Sequence, residues 1–214
     1  MNKIILIFEL IGTISFSVSG ALCATRKKLD IFGTLFCAII TALGGGVFRD
    51  TLLGILPPTM FTDYIYVLVA SLVALITFFV VLILNKSKIK LSENTSITFI
   101  NHILDAIGLA VFTIVGINIA ISKGFANNAF FVIFLGTASG CGGGILRDVT
   151  INDIPLIFSK RIYALASIAG GTLYWVLLNF RICGDTVAMI VGMTLIFIVR
   201  LLAIIFKWNL PHAS

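Results

Sequence analysis

The sequence predicts an all-α integral membrane protein. We expect seven transmembrane helices, arranged as two inverted three-helix repeats plus a seventh helix. Three observations predict this fold: an apolar composition, seven long apolar stretches and an internal repeat. Of the 214 residues, 59% are hydrophobic and 11% are charged, and the mean hydropathy is +1.15. Soluble domains carry about 25% charged residues, so this chain lacks the polar residues that a water-facing surface needs. The composition excludes a soluble enzyme, and neither a nucleic-acid partner nor a cofactor is expected.

Seven stretches are long and apolar enough to cross a lipid bilayer as helices. A hydrocarbon core of about 30 Å needs roughly 20 apolar residues per helix. The stretches that meet this length are residues 4–24, 31–56, 64–84, 97–121, 125–152, 162–180 and 186–206.

The basic residues between these stretches predict the orientation. One side of the predicted bundle receives Arg26, Lys27, Lys28, Lys86, Lys88, Lys90, Lys160, Arg161 and Lys207. The other side receives Lys3, Lys123 and Arg181. Because cytoplasmic loops carry the excess of Lys and Arg, we expect the amino terminus outside and the carboxyl terminus in the cytoplasm. Aromatic side chains expected at the membrane–water interfaces are Tyr64, Tyr66, Tyr163 and Trp208.

Two sequence blocks occur twice. Glu9-Leu-Ile-Gly recurs 96 residues later as Asp105-Ala-Ile-Gly, and the GGGVFRD segment at 44–50 recurs 98 residues later as GGGILRD at 142–148. Since each copy holds an odd number of helices, the second copy enters the membrane from the opposite side. Inverted repeats are typical of transporters and channels with a pathway at the repeat interface, although a purely structural duplication is the alternative. The predicted units are residues 1–90, residues 91–182, and residues 183–214 for the seventh helix and a short cytoplasmic tail.

Three consecutive glycines lie inside both the second and the fifth predicted spans. These spans run to about 26 and 28 residues, or roughly 39–42 Å as straight helix, which exceeds the hydrocarbon core. Each glycine costs a helix about 1 kcal/mol relative to Ala, so a break in the helix is one expectation. Carbonyls freed at such a break could coordinate a cation. Close packing of two helix backbones is an equally weighted alternative for Gly44, Gly45, Gly46, Gly142, Gly143 and Gly144.

Charged residues follow the glycines at membrane depth. Arg49 and Arg147 come one turn after the triplets, and Glu9 and Asp105 are the repeat-equivalent acids on the first and fourth helices. Charges in a bilayer persist where they pair or face water. We therefore expect an intramembrane ion-pair network between these acids and arginines. The sequence leaves open which acid meets which arginine, and a purely structural network is favoured over ion contact for the arginines.

Four other polar residues are candidates for a cation path. Asp50 and Asp148 follow the arginines directly and would attract a cation. Thr41 and Ser139 are repeat-equivalent hydroxyls just before the glycines. For the two hydroxyls, a bond back to their own helix is a strong alternative.

The paired GGGxxRD segments, the two acid-x-Ile-Gly segments and the count of three, three and one helices resemble the bacterial members of the trimeric intracellular cation (TRIC) channel family. That group overlaps proteins catalogued under a glycine-transporter domain. The resemblance implies a homotrimer in a bacterial or archaeal plasma membrane, with a pore in each subunit for monovalent cations such as K⁺. It also implies that the glycine-kinked second and fifth helices line that pore. The Lys-Glu-Val motif of animal members is missing from this sequence, so their regulation by lipid or calcium is not implied.

The leading functional prediction is passive conduction of K⁺, with permeant K⁺ or Na⁺ as the bound species. A secondary transporter of a small amino acid such as glycine is the alternative, because inverted repeats also suit alternating access. A membrane enzyme is not expected, since His102 and His212 are far apart and no nucleophile–base pair is evident.

Overall fold

The computed structural model describes residues 3–86, 95–158 and 162–208, and within these residues the ordered elements are helical. The α-helices are α1 (Lys3–Arg26), α2 (Ile31–Leu52), α3 (Thr59–Thr62), α4 (Ile65–Lys86), α5 (Thr95–Ala120), α6 (Ala129–Thr150), α7 (Ala164–Asn179) and α8 (Asp185–Ile205). A π-helical turn, Ile121–Phe125, extends α5.

Each of the seven predicted stretches contains one long helix. In the described part of the chain, six helices are long and apolar enough to cross a membrane: α1, α2, α4, α5 with its π-helical turn, α6 and α8. The remaining long helix, α7, is apolar but has only 16 residues, or about 24 Å of helix. The chain is therefore an all-helical, multi-pass membrane protein.

The second and fifth spans are shorter than predicted. Helices α2 and α6 have 22 residues each, which is about 33 Å and fits a hydrocarbon core. The prediction of overlong spans was wrong for two reasons. Apolar residues such as Leu56 continue past the end of α2 into the loop, and residues 125–128 belong to the turn before α6.

Helices α2 and α6 begin and end in the same way. Their amino termini are capped by Asp30 and Asn128, whose side chains accept hydrogen bonds from the backbone N–H three residues on, at 2.7 and 3.0 Å. Their carboxyl ends close with Gly54 and Asn152 at φ of +68° and +57°. Glycine and asparagine are the residues that adopt this left-handed conformation most readily. Local sequence thus determines both boundaries of both helices.

The glycine triplets do not break these helices. Both α2 and α6 are uninterrupted through their glycines, and the expected unwinding is not observed. The triplets instead allow the two backbones to meet: a Cβ atom on Gly45 would overlap the carbonyl oxygen of Ser139, and one on Gly143 would overlap that of Thr41. In these two contacts, the higher-numbered residue of α2 meets the lower-numbered residue of α6, and the reverse. Helices α2 and α6 therefore cross antiparallel. The close-packing alternative therefore describes Gly45 and Gly143. Both helices stay continuous, which keeps their backbone groups hydrogen-bonded inside a membrane.

Helices α1 and α5 make a second reciprocal crossing. The rings of Phe16 and Phe112 stack with centroids 5.4 Å apart. A Cβ on Gly12 would lie 2.9 Å from the Phe112 ring, and a Cβ on Gly108 would overlap the Phe16 ring. These contacts make α1 and α5 antiparallel and place both crossings at the centre of the bundle.

Polar contacts show which helix ends share a face. Lys27 at the end of α1 contacts Asp153 after α6 at 2.5 Å, and Arg26 donates to Thr98 at the start of α5. The Arg200 guanidinium near the end of α8 donates to the carbonyl of Ile162 before α7. One face of the bundle therefore carries the ends of α1, α6 and α8 and the starts of α5 and α7.

Two of the predicted interfacial aromatics are instead buried. Tyr66 and Tyr163 are 5% and 3% exposed, whereas Tyr64 and Trp208 are exposed. The prediction was wrong for the buried pair because each packs against a charged residue inside the bundle, as described below.

Several predicted features lie outside the described residues. They are Lys88, Lys90, Lys160, Arg161, His212 and the boundary between the predicted units at residues 90 and 91.

Candidate functional site

A first charge cluster lies where α1, α2 and α4 meet, and consists of Glu9, Arg49, Asp50 and Tyr66. The Arg49 guanidinium contacts Asp50 Oδ1 through Nε and Nη2, at 2.8 and 2.7 Å. Glu9 Oε1 lies 3.9 Å from Arg49 Nη1, and Glu9 Oε2 accepts a hydrogen bond of 2.6 Å from the Tyr66 hydroxyl. All four side chains are buried. We call this group the first cluster.

A second cluster lies at the equivalent place in the second half, and consists of Asp105, Arg147, Asp148 and Arg200. Arg147 Nε donates to Asp148 Oδ1 at 2.8 Å, and its Nη1 donates both to Asp105 Oδ1 and to the Ser19 hydroxyl, each at 2.7 Å. Arg200 Nη2 lies 3.9 Å from Asp105 Oδ2. Each predicted acid thus lies beside the arginine of its own half: Glu9 near Arg49, and Asp105 against Arg147.

The arginine Arg200 is a member of this site that the sequence reasoning missed. It is fully buried, and its guanidinium lies over the Tyr163 ring, 4.5 Å from the ring centroid, a cation–π distance. A signal was present, because an arginine inside the otherwise apolar α8 is costly unless it is paired. The seventh helix has no copy in the repeat, so the repeated motifs do not mark Arg200.

The two aspartates that follow the arginines hold the chain after each helix. Asp50 Oδ2 accepts from the backbone N–H of Thr59, and Asp148 Oδ2 accepts from that of Leu156, both at 2.9 Å. Since the other oxygen of each carboxylate binds its neighbouring arginine, both aspartates have their oxygens engaged by protein. These contacts show that Asp50 and Asp148 position the arginines and the following loops. Their part in a cation path stays a prediction.

The two candidate hydroxyls lie in the helix crossing. Thr41 donates to the carbonyl of Cys37 on its own helix at 2.5 Å, which is the alternative considered for it. Ser139 is 1% exposed, and its hydroxyl has no partner among the described residues. Both sit beside the glycine backbones, so an ion could reach them only if α2 and α6 moved apart.

A cavity of about 40 Å³ adjoins the first cluster. It lies between α1, α2, α4 and α5 and is lined by Glu9, Thr13, Gly46, Arg49 and Tyr66, among others. A cavity of this volume can hold a few water molecules or ions of similar size. It reaches the last glycine of the first triplet, so it connects the first cluster with the edge of the helix crossing.

The described residues contain no group of three or more His, Cys, Asp or Glu side chains placed to hold a metal ion. The charged groups of both clusters are instead arranged as arginine–carboxylate pairs.

Comparison with known proteins identifies the family. A family model described as a glycine transporter matches residues 6–81 and 102–179. An inner membrane protein of Escherichia coli, YadS of the UPF0126 group, is 34% identical over 209 residues, covering 95% of this chain and 93% of that protein.

Solved structures share the fold along nearly the whole chain. A crystal structure of a prokaryotic TRIC channel in 0.5 M KCl has a TM-score of 0.85 and 34% identity, and covers 98% of this chain and 100% of that one. A structure of the TRIC trimeric intracellular cation channel orthologue from Rhodobacter sphaeroides has a TM-score of 0.86 and 29% identity, covering 96% and 100%. Matched in both sequence and fold, this chain belongs to the bacterial TRIC family, which includes UPF0126 membrane proteins and overlaps the glycine-transporter family model.

Proposed function

We propose that the protein is a channel that conducts monovalent cations such as K⁺ passively, through a pore within each subunit. The observation that carries the proposal is the pair of buried arginine–carboxylate clusters at opposite ends of the antiparallel α2–α6 crossing. Charged groups are stable at membrane depth where they pair or line a wet route. Matched proteins described as cation channels support the same function.

We infer that the two halves are inverted repeats. Contacts across the centre are reciprocal: Gly45 meets Ser139 as Gly143 meets Thr41, and Phe16 meets its own counterpart, Phe112. The family model also matches the chain in two segments, one in each half. On this basis α7, although short, is the counterpart of α4 and completes seven membrane crossings.

The closed crossing fits a resting conformation of this channel. Contact between the backbones of α2 and α6 at Gly45 and Gly143 leaves no room for an ion. Conduction therefore requires these helices to separate at the glycine triplets, which exposes Thr41 and Ser139 to the path. The two buried clusters hold the carboxyl ends of the same helices and would restrain this movement.

We further propose a homotrimer in the bacterial plasma membrane, by family membership. The face that carries Arg26, Lys27, Lys28 and Lys207 would lie in the cytoplasm, because positive charge is enriched there. The opposite face carries Lys3, Lys123 and Arg181.

Planar-bilayer recording tests this function. Purified protein should give unitary currents in KCl that reverse at the K⁺ equilibrium potential, and membranes purified identically from cells without the gene should give none. A carrier of glycine would instead show saturable uptake of labelled glycine into liposomes, without unitary currents. That result would overturn the channel and favour the transporter that the family model's description suggests.

A further inference from the structure

We propose that the cavity beside the first cluster is a binding site for a monovalent cation, built from the Glu9 carboxylate and the Thr13 hydroxyl. The inference deepens the proposed channel function and rests on it for its physiological meaning. Its structural basis is a buried carboxylate without a full partner, an unpartnered hydroxyl and a space between them.

One carboxylate oxygen of Glu9 makes no hydrogen bond to Arg49. Its Oε2 accepts from Tyr66 at 2.6 Å, but Oε1 is 3.9 Å from Arg49, which is beyond hydrogen-bond length. The Arg49 guanidinium is held more closely by Asp50, at 2.7 and 2.8 Å. Glu9 therefore presents a carboxylate oxygen to the cavity that it lines.

The formal charges of the first cluster do not balance. Glu9 and Asp50 are two carboxylates against the single guanidinium of Arg49. A buried carboxylate without a counter-charge is costly, so a cation in the cavity would complete the balance. One excess negative charge matches one monovalent ion.

Thr13 supplies the second, independent observation. It is 1% exposed, its Oγ1 has no hydrogen-bond partner in the described part of the chain, and it lines the cavity. Buried hydroxyls normally have partners. The Thr13 hydroxyl oxygen is therefore available to coordinate an alkali cation or to hydrogen-bond with a water molecule in the cavity.

The number and kind of ligands favour a monovalent ion. Calcium takes six to eight oxygen ligands, commonly several carboxylates, and magnesium demands near-octahedral geometry. The cavity offers one available carboxylate and one hydroxyl, with space of about 40 Å³ for the ion and a few waters. This set is too sparse for calcium, and the single excess negative charge of the cluster matches a monovalent ion rather than a divalent one.

The equivalent place in the second half is filled. The counterpart of Thr13 is Leu109, which is fully buried. There the Tyr163 ring and the Arg200 guanidinium cover Asp105, and the Tyr163 hydroxyl lies 3.1 Å from where a Cβ of Gly144 would sit. Asp105 Oδ2 and the Tyr163 hydroxyl also lack hydrogen-bond partners among the described residues. The formal charges of the second cluster nevertheless balance, because two guanidiniums face two carboxylates, so this half needs no added cation.

Thermal unfolding of the purified protein in detergent tests the site. A cation that binds the folded state raises the midpoint of unfolding with its concentration. We expect the midpoint to rise by about 2–4 °C on raising KCl tenfold above half-saturation, with choline chloride keeping the ionic strength constant. Glu9→Gln, which keeps the acceptor for Tyr66, should abolish this rise, and Thr13→Val should reduce it at least twofold.

A matched control separates site binding from general charge effects. Asp153→Asn removes an exposed carboxylate, 47% exposed, that is remote from the cavity, and should leave the K⁺-dependent rise unchanged. Arg200→Gln should increase the rise, because the second half would then carry its own excess carboxylate. Equal responses of Glu9→Gln and wild type would overturn the site, as would a wild-type midpoint that ignores K⁺, since a proton would then balance Glu9.

The site and the channel can fail separately. If wild type conducts K⁺ and Glu9→Gln conducts equally with an unaltered K⁺-dependent rise, the channel stands and the site is wrong. If K⁺ raises the midpoint through Glu9 while no unitary currents appear, the site stands and the channel is wrong.

Discussion

The two charge clusters share the same pattern of hydrogen bonds but differ in their surroundings. In both, an arginine binds the next aspartate at 2.8 Å, and that aspartate holds a backbone N–H at 2.9 Å. The first cluster opens onto a cavity of about 40 Å³, whereas the second cluster has an additional guanidinium, that of Arg200, near its acid Asp105. The difference comes from the helices around the repeated motif, not from the motif itself.

Helix α8 makes the largest contribution to this difference. It brings Arg200 against Asp105 and over Tyr163, and the first half has no equivalent of it. In the first half, the tyrosine beside the acid is Tyr66, and its hydroxyl donates a hydrogen bond to Glu9. Two clusters with the same sequence motif therefore differ in their surroundings, and the comparison shows that the motif alone does not fix the environment of its acid.

The largest expected effect comes from removing each central arginine. Arg147→Gln should destabilise the protein by about 3–5 kcal/mol, because it leaves two buried carboxylates and Ser19 without their donor. Arg49→Gln should cost less, since the adjoining cavity admits water to Glu9. Denaturant unfolding in detergent, followed by tryptophan fluorescence, measures both losses. Equal losses would show that the two clusters do not differ in solvent access.

Glycine replacements at the crossing should have the next largest effect. Gly45→Ala and Gly143→Ala place a methyl group on a backbone carbonyl, so each should cost about 1–3 kcal/mol or more, by a similar amount in the two halves. Gly46→Ala is the matched control, because its nearest neighbour is Arg49 Nη2 at 3.8 Å. This control should be neutral or stabilising by up to about 1 kcal/mol. The same unfolding measurement applies, and a tolerated Gly143→Ala would contradict the close crossing.

The smallest effect is expected at the surface contact that joins the two halves. Lys27 and Asp153 are 42% and 47% exposed, and exposed ion pairs contribute about 0–1 kcal/mol. Lys27→Ala should change the unfolding midpoint by less than the replacements of Arg49, Arg147, Gly45 and Gly143, and should leave K⁺ currents unchanged. A loss comparable to that of Arg147→Gln would mean that this pair, and not the buried clusters, holds the halves together.

Much of the architecture was readable from the sequence for physical reasons. Apolar length predicts helices, and the only stable place for an arginine at membrane depth is beside an acid or water. The repeated acids and arginines therefore marked the two clusters. Spacing could not show that Glu9 approaches Arg49 and Asp105 approaches Arg147, because those contacts cross between helices.

Other features were missed or misjudged for equally physical reasons. The glycine triplets suggested a break, but a glycine that weakens an isolated helix also permits two backbones to touch, and only the partner helix decides between these roles. Tyr66 and Tyr163 matched an interfacial pattern because tyrosine suits a membrane interface as well as a buried site. Inside the bundle, Tyr66 donates a hydrogen bond to Glu9 and the Tyr163 ring contacts the Arg200 guanidinium. Thr13 carried no sequence signal, since a single threonine in an apolar helix is common.

The sequence alone determined the membrane class, the positions of the helices, the duplicated motifs and the residues that must pair, because hydropathy and intramembrane charge act locally along the chain. Only the tertiary structure decided that the glycine-rich helices remain whole, that Arg200 joins the second cluster, and that Glu9 lines a cavity. These outcomes depend on distances between helices far apart in the chain, and no local pattern encodes those distances.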